Sequence, residues 1–324
     1  MVKAASTRET AVRSKWFLRA FSCVRESPRP RFRSGLGQAA SRVGETEGIL
    51  ARDPFAARKP MSTAVPSPDP IAAAAAAPRI WVLVPTYNER ENVGPIIEAI
   101  LATVPQANIL VVDDGSPDGT GDLADALARQ NSSIAVLHRE AKQGLGRAYV
   151  AAFRDVLARQ ADIVVQIDAD FSHPVRFLPS LLEPIVAGRA DLVLGSRYVK
   201  GGHIPRWNIF RRLVSRGGSI FAGVVLLMPY RDLTGGYKAF RSAVLRGIDL
   251  DRLHAGGYAF QIETTFRARL AGARIIEVPI TFEERRAGQS KMSMAIFSEA
   301  LWLVMGLRFS SFRRRKRHLD DRGG

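Results

Sequence analysis

One cysteine, Cys23, stands in 324 residues, so no disulfide can close within the chain and no thiolate-based metal centre can form. Histidine is scarce too. His138, His173, His203, His254 and His318 show none of the close spacings that metal sites use, and they read as structural or solvated side chains. Long apolar runs are missing: "SIFAGVVLLMPY" (219–230) is too short, and "AIFSEALWLVMGLRF" (295–309) is broken by Glu299 and Gly306, where a span needs about 20 apolar residues. No apolar core precedes a small-residue cleavage site, so no secretory signal is legible. There is no G-x-x-x-x-G-K-[ST] loop, no G-x-S-x-G turn, and no glycine in "PTYNERE" after the first strand-like run. "QGLGRA" (143–148) has spaced glycines but not the full dinucleotide fingerprint. These absences set aside P-loop nucleotide hydrolases, serine hydrolases and dinucleotide-dependent oxidoreductases.

Basic charge, by contrast, is plentiful: 47 Lys and Arg against 31 Asp and Glu, net +16. Such an excess suggests nucleic acid or an anionic membrane, and its location decides between them. Residues 1–78 carry 13 basic and 6 acidic side chains and residues 308–324 carry 7 and 2, whereas 79–307 hold 27 and 23. A nucleic-acid module places its charge on folded elements beside aromatics or a reading helix. Here most of it lies in the tails, so no nucleic-acid partner is expected.

The first tail, ending in "VPSPDPIAAAAAAP", has no sustained period and is rich in Arg, Ser, Ala and Pro, so residues 1–78 read as a disordered extension. Its Arg-rich, acid-poor start has the composition of an organellar transit peptide, although a flexible extension or a misassigned start fits better. Residues 79–309 form the expected folded domain and 310–324 a basic tail. The apolar stretch 295–309 runs into "RFSSFRRRKRH" and reads as an interfacial helix whose arginines meet anionic headgroups. The bland alternative is a core helix with a solvated end.

From Arg79 the pattern becomes regular. β-branched runs recur at 80–85, 109–114, 134–138, 163–168 and 191–196, with helical segments at 91–104, 118–130 and 146–160 between them. Apolar runs without alternation belong to strands buried on both faces, which predicts an α/β fold with a mostly parallel sheet flanked by helices. Ligands bind such sheets outside the carboxyl ends of the strands. The segments at those ends are "PTYNERE", "DDGSPDGT", "DADFSH" and "GSRY", all polar and three of them acidic. In "DIVVQIDADFSH" an apolar strand leads straight into Asp168 and Asp170, which are expected to point the same way at its end, since residues i and i+2 of a strand share a face. Two adjacent carboxylates repel unless a positive charge sits between them. With no His or Cys nearby, they suit a hard cation, Mg2+ or Mn2+, completed by water and phosphate oxygens. Asp113 and Asp114, at the end of another strand, would stand beside them, and a nucleotide diphosphate bridged by metal fits the set.

The motifs "PTYNERENV", "VVDDGSPDGT", "GLGRAYVAAF", "IDADFSHP", "LGSRYVKGG", "SRGGSIFAG", "DLTGGYKAFR", "GYAFQIE" and "RRAGQSKM" resemble, in order over about residues 80–307, the family 2 glycosyltransferases known as dolichyl- or polyprenol-phosphate mannosyltransferases. D-x-D alone is a common pattern; nine ordered motifs are specific. The resemblance implies a GT-A fold, a GDP-mannose donor, a dolichyl or polyprenyl phosphate acceptor and inversion at the sugar carbon. It places Pro85, Tyr87, Glu89, Val112 and Asp114 around the guanosine, and Asp168, Ala169 and Asp170 at the diphosphate and metal. Arg197, Arg211 and Ser215 would face the acceptor phosphate, while Arg285 and Lys291 would close over the donor diphosphate. Asp170, Arg197, Arg285 and Lys291 are the side chains expected at the chemistry itself. At "DADFSHPVR" many family members keep another residue before the proline, so no metal role is carried over to Ser172.

The residue types agree with that chemistry. An acceptor phosphate is already anionic and needs no strong base, so the departing diphosphate is what must be stabilised, by a divalent cation with Arg and Lys. A lipid acceptor requires a membrane surface, which the apolar segments and basic tail would supply, alone or with a small membrane-protein partner. The expected location is peripheral, on the cytosolic face. Two rivals differ in donor and in class: UDP-glucose in place of GDP-mannose, and a non-enzymatic basic protein that binds lipid or nucleic acid. The near-neutral middle and the acidic strand ends count against the second.

Overall fold

The computed structural model describes residues 77–204, 209–253, 257–283 and 301–309. Within them the chain alternates as β1 (Ile80–Thr86), α1 (Arg90–Thr103), β2 (Asn108–Asp113), α2 (Thr120–Gln130), β3 (Ile134–His138), α3 (Leu145–Ala158), β4 (Ile163–Gln166), α4 (Leu178–Val186) and β5 (Leu192–Ser196). There follow α5 (Ile209–Leu226), β6 (Lys238–Arg241), α6 (Ser242–Gly247), α7 (Gly257–Leu270) and β7 (Ile275–Pro279). Residues 301–309 are helical.

The strands form one seven-stranded sheet in the order β3-β2-β1-β4-β6-β5-β7. Every neighbouring pair is parallel except the two that involve β6, which runs against β4 and β5. The period of two along each strand divides the core cleanly. Ile80, Val82 and Val84 of β1 face α1 and α4 with Ile109, Val111, Val165 and Val193. Trp81 and Leu83 face α3 and α7 with Leu110, Val112, Val164, Leu194 and Phe240. Both faces are covered, which is why these strands read as continuous apolar runs. On the second face Tyr149 and Phe153 of α3 meet Phe260 of α7 at ring-centroid distances of 5.8 and 6.4 Å.

All five expected strands are present, and the structure adds β6 and β7 to them. Two expected strands end early: β2 stops at Asp113, not Asp114, and β4 at Gln166, not Asp168. A third apolar cluster joins Ala222 and Leu226 of α5 to Ile262 and Phe266 of α7 and to Val304 and Leu307 of the 301–309 helix.

The direction of β6 matters for function. The loops that follow β1, β2, β4 and β5 emerge at one edge of the sheet. Because β6 is antiparallel, the segment that precedes it, 232–236, emerges at that same edge.

Candidate active site

At the β1 end, the Glu89 carbonyl accepts the Asn92 and Val93 N–H groups at 2.9 and 2.8 Å and so starts α1. The Glu89 carboxylate accepts Asn92 Nδ2 at 2.7 Å, and its own N–H donates to Thr120 Oγ1 at 3.0 Å. Tyr87 lies under Lys142, whose Nζ stands 3.7 Å from the ring centroid. At the β2 end the two acids separate in role. Asp113 is turned into the fold, accepting Ser116 Oγ at 2.6 Å and Ser116 N–H at 3.1 Å, and so shapes the turn. The Asp114 N–H donates to the Thr86 carbonyl at 3.1 Å, and its carboxylate pairs with Arg139. Burial raises that carboxyl above the ordinary range, against the opposing charge of Arg139. Pro85 and Val112 are register partners in β1 and β2 directly beneath this region.

Beyond β4 the chain turns. Contrary to the expectation from the sequence, Asp168 and Asp170 therefore do not share a face by strand alternation: Asp168 lies beyond the strand and Asp170 is in the turn Ala169–Asp170. Phe171 sits at φ 62, in the left-handed region, and the Ser172 N–H donates to Asp170 Oδ1 at 2.9 Å. Asp170 is buried, while the Asp168 side chain retains 29% of its exposure. His173 is fixed behind them: its ring stacks on Tyr237 at 5.1 Å, meets Phe282 edge-on at 5.5 Å, and Nδ1 accepts the Asp168 N–H at 3.4 Å. Burial lowers its basicity, although Asp168 and Asp170 pull the other way, so the ring is neutral and acts as a brace.

Among the described residues no three His, Cys, Asp or Glu side chains converge as a metal cluster. The oxygen-only pair Asp168 and Asp170 still fits a hard cation that draws its other ligands from phosphate and water. Ser172 Oγ, buried and without a hydrogen-bonding partner among the described residues, is a further oxygen beside that pair.

At the β5 end Arg197 is buried in a fork with Asp232: Nε and Nη2 each donate to a carboxylate oxygen at 2.7 Å, and the Arg197 N–H donates at 2.9 Å. Nη2 also donates to Thr234 Oγ1 at 3.0 Å. Burial would push Asp232 up, but the charge and hydrogen bonds of Arg197 hold it below the usual carboxylate range. Thr234 continues the network to α5, standing 3.5 Å from Ser215 Oγ and 3.3 Å from Ser219 Oγ, and Tyr198 Oη donates to Ser215 Oγ at 2.9 Å. The 232–236 turn is itself held by Glu277 of β7, which accepts the Arg231 and Asp232 N–H groups at 2.9 Å each.

The glycosyl transferase family 2 model matches residues 81–248, which contain every loop at this sheet edge except the segment after β7. The chain is a family 2 glycosyltransferase.

Among the relatives of this glycosyltransferase is the undecaprenyl-phosphate mannosyltransferase of Micrococcus luteus, 48% identical over 223 residues, or 69% of this chain and 91% of the relative. The polyprenol monophosphomannose synthase of Mycolicibacterium smegmatis is 46% identical over 227 residues, covering 70% and 85%. Of solved structures, glucosyl-3-phosphoglycerate synthase from Mycobacterium tuberculosis in complex with Mn2+, UDP and glucosyl-3-phosphoglycerate aligns with TM-score 0.55 and 23% identity, covering 72% of this chain and 81% of that one. The same enzyme with Mg2+ and UDP aligns with TM-score 0.55 and 24% identity, covering 72% and 80%. This likeness shows the fold, a GT-A type α/β sheet.

The glycosyltransferase thus brings Tyr87, Glu89, Asp114, Asp168, Asp170 and Arg197 to one sheet edge, and links Ser215 to Arg197 through Thr234. Arg285, Lys291 and the side chain of Arg211 lie outside the described residues. The sequence reads His173 as structural or solvated and gives no role to the side chains of Tyr198, Asp232 or Thr234. In "DLTGG" (232–236) it marks only glycines that let backbone approach a ligand, because Asp232 and Thr234 precede a strand that the sequence does not announce.

Proposed function

We propose that this enzyme transfers mannose from GDP-mannose to a dolichyl or polyprenyl phosphate, with inversion, at a membrane surface. The observation that carries the reading is the 48% and 46% identity to relatives named for mannose transfer to polyprenyl phosphates, joined to an acid pair at the sheet edge. Pro85, Tyr87, Glu89, Val112 and Asp114 hold the nucleoside, and Asp168, Ala169 and Asp170 hold Mg2+ or Mn2+ and the diphosphate. The cation, when bound, offsets the negative charge that gathers on the departing GDP. An acceptor phosphate oxygen attacks the sugar carbon from the face opposite GDP; the new C–O bond forms as the old one breaks, and its electron pair leaves with GDP. No proton need move, which agrees with a neutral, buried His173.

Arg197, with Arg211 and Ser215, places the acceptor phosphate; Asp232 fixes Arg197 so that its orientation costs nothing at the moment of reaction. Arg285 and Lys291 close over the diphosphate. Support comes from Glu283, two residues before Arg285, whose N–H donates to the Ser172 carbonyl at 3.1 Å, in the same loop as the acid pair.

The same reading gives the apolar surface an occupant. No described helix is long and apolar enough to cross a membrane. Yet α5 exposes Leu213, Ile220 and Val224, and the 301–309 helix exposes Trp302 (80%), Met305 and Phe309 while burying Val304. Exposed Arg212 and Arg216 lie on α5 as well. The enzyme docks these helices and the basic tail on the cytosolic leaflet, with residues 79–309 as the catalytic domain and 1–78 as an extension.

The test is incorporation of radiolabel from a panel of nucleotide sugars into the lipid phase, with polyprenyl phosphate and Mg2+ or Mn2+. GDP-mannose should react; label entering only from UDP-glucose would replace the donor. Asp170→Ala should lower turnover by about 10²–10³, measured beside circular dichroism to check the fold, and near-normal metal-dependent turnover would remove Asp170 from the site.

A further inference from the structure

Among the described residues, five buried side-chain atoms without a hydrogen-bonding partner belong to three residues of one sheet face: Tyr149 Oη, both side-chain amide atoms of Gln166 and both of Gln261. Ser172 Oγ, in the acid loop, is a sixth, and Ser242 Oγ, at the opposite end of β6, is separate from them. Gln166 precedes Asp168 by two residues and is the register partner of Lys238 in β6. Tyr149 stacks on Phe260, the neighbour of Gln261, and the fields of Asp168 and Asp170 add to the burial that raises its phenol. Lys238 Nζ donates to the Gln261 carbonyl at 2.6 Å and to Thr265 Oγ1 at 2.9 Å. The group therefore lies between α3, β4, β6 and α7, on the inner side of the acid loop.

Gly236 is the residue between this group and the acids. A Cβ there would stand 3.5 Å from Gln261 Nε2, 3.4 Å from His173 Cε1 and 3.8 Å from Asp168 Oδ1. The Gln261 amide and Asp168 thus both border the point where Gly236 has no side chain. Folded proteins keep few buried polar atoms unsatisfied, because each one left so costs stability. A concentration of them against a binding loop is the arrangement expected where a ligand completes the hydrogen bonding.

The chemistry of the group selects the ligand. An amide donates and accepts at once, as does a sugar hydroxyl. Inward of the acid loop the only cation of the group is Lys238, whose Nζ is already given to the Gln261 carbonyl and to Thr265, so nothing there selects an anion. A neutral polyhydroxylated ring suits the set.

We propose that Gln261 is a specificity-determining residue, its side-chain amide reading a ring hydroxyl of the transferred hexose while Lys238 and Thr265 hold its backbone in place. This rests on the reading above, in which the donor diphosphate sits at Asp168 and Asp170 and the hexose hangs beside them. Lys238 is suited to an anchoring role: burial lowers its pKa to about 7, so it can hold the α7 carbonyl without bringing a fixed charge to the sugar.

The experiment uses whichever nucleoside-diphosphate hexose the wild type turns over, so that a wrong donor assignment appears in the choice of donor and not in the result. Calorimetry with Mg2+ compares wild type and Gln261→Leu against that donor and against the nucleoside diphosphate alone. Affinity for the bare diphosphate should be unchanged, while donor affinity and kcat/KM for transfer fall about tenfold or more. A merely structural role would weaken both ligands together, and an unchanged ratio overturns the proposal. Since the leucine variant can fail to fold, wild type is also assayed with monodeoxy donors. One missing hydroxyl should cost about tenfold more in kcat/KM than the others. If all monodeoxy donors react within about threefold of the parent sugar, no hydroxyl is being read and the proposal fails.

Discussion

Arg197 and Lys238 are both buried cations, yet Arg197 meets a carboxylate in a two-pronged fork, while Lys238 Nζ donates to a backbone carbonyl and a hydroxyl. Arginine cannot shed its proton, so burying it at the site obliges the fold to bury Asp232 with it. Lysine can, and burial lowers Lys238 to about 7 despite the opposing pull of Asp232. On the proposed function, the permanent charge is kept where an anionic acceptor would be placed, and the adjustable one where a helix is anchored. The pair shows how one sheet edge separates charge needed for binding from charge tolerated for packing.

Breaking the fork should give the largest effect. Asp232→Ala leaves Arg197 buried without its counter-charge and should cost about 3–5 kcal/mol, read by urea unfolding. A cost under about 1 kcal/mol would mean that Arg197 is compensated elsewhere.

Lys238→Met keeps the volume and removes two hydrogen bonds to neutral groups, so about 1–2 kcal/mol is expected near pH 9. Its pH dependence sharpens the contrast. The folded pKa lies below the unfolded one, so between about 7 and the ordinary lysine value the unfolded chain binds more protons. Stability from this residue therefore rises with pH through that window, and wild type should gain on Lys238→Met from pH 7 to pH 9. The gap between wild type and Asp232→Ala should stay flat above about pH 8, because the lowered pKa of Asp232 confines its own loss of stability to acid and its pull on Lys238 is felt only near pH 7. Parallel pH curves for the two variants would erase the distinction.

Thr234→Val should have the smallest effect, about 1 kcal/mol, since Arg197 keeps its bonds to Asp232 when the hydroxyl goes. A cost as large as that of Asp232→Ala would make the hydroxyl network, and not the fork, the support of Arg197.

Legibility in the sequence divides in a similar way. β1 to β5 announce themselves because they are rich in β-branched residues and most are covered on both faces. β6 does not: "KAFR" is four residues long and carries two cations, one of them the buried Lys238. β7 is interrupted by Glu277, whose carboxylate serves the 232–236 turn. The acids at 168 and 170 are visible because they come after a strand, although the strand stops short of them. Asp232 gives no such sign, because its place at the site depends on an antiparallel strand that begins after it. His173 has no metal-ligand spacing to mark it, and its role as a packed brace behind the acids emerges only from the fold.

The position of β6 also orders assembly. β4 and β5 are consecutive in the chain but do not pair; the sheet leaves a gap between them that Lys238–Arg241 fills much later in the sequence. Until that strand arrives, a growing or refolding chain carries two open strand edges facing each other, both apolar on each side. Such edges invite pairing with other chains, and strand pairing over long sequence separation is slow. The four residues of β6 are therefore the keystone of the sheet in time as well as in space, and a chain released before Lys238 would enter solution with its centre unclosed.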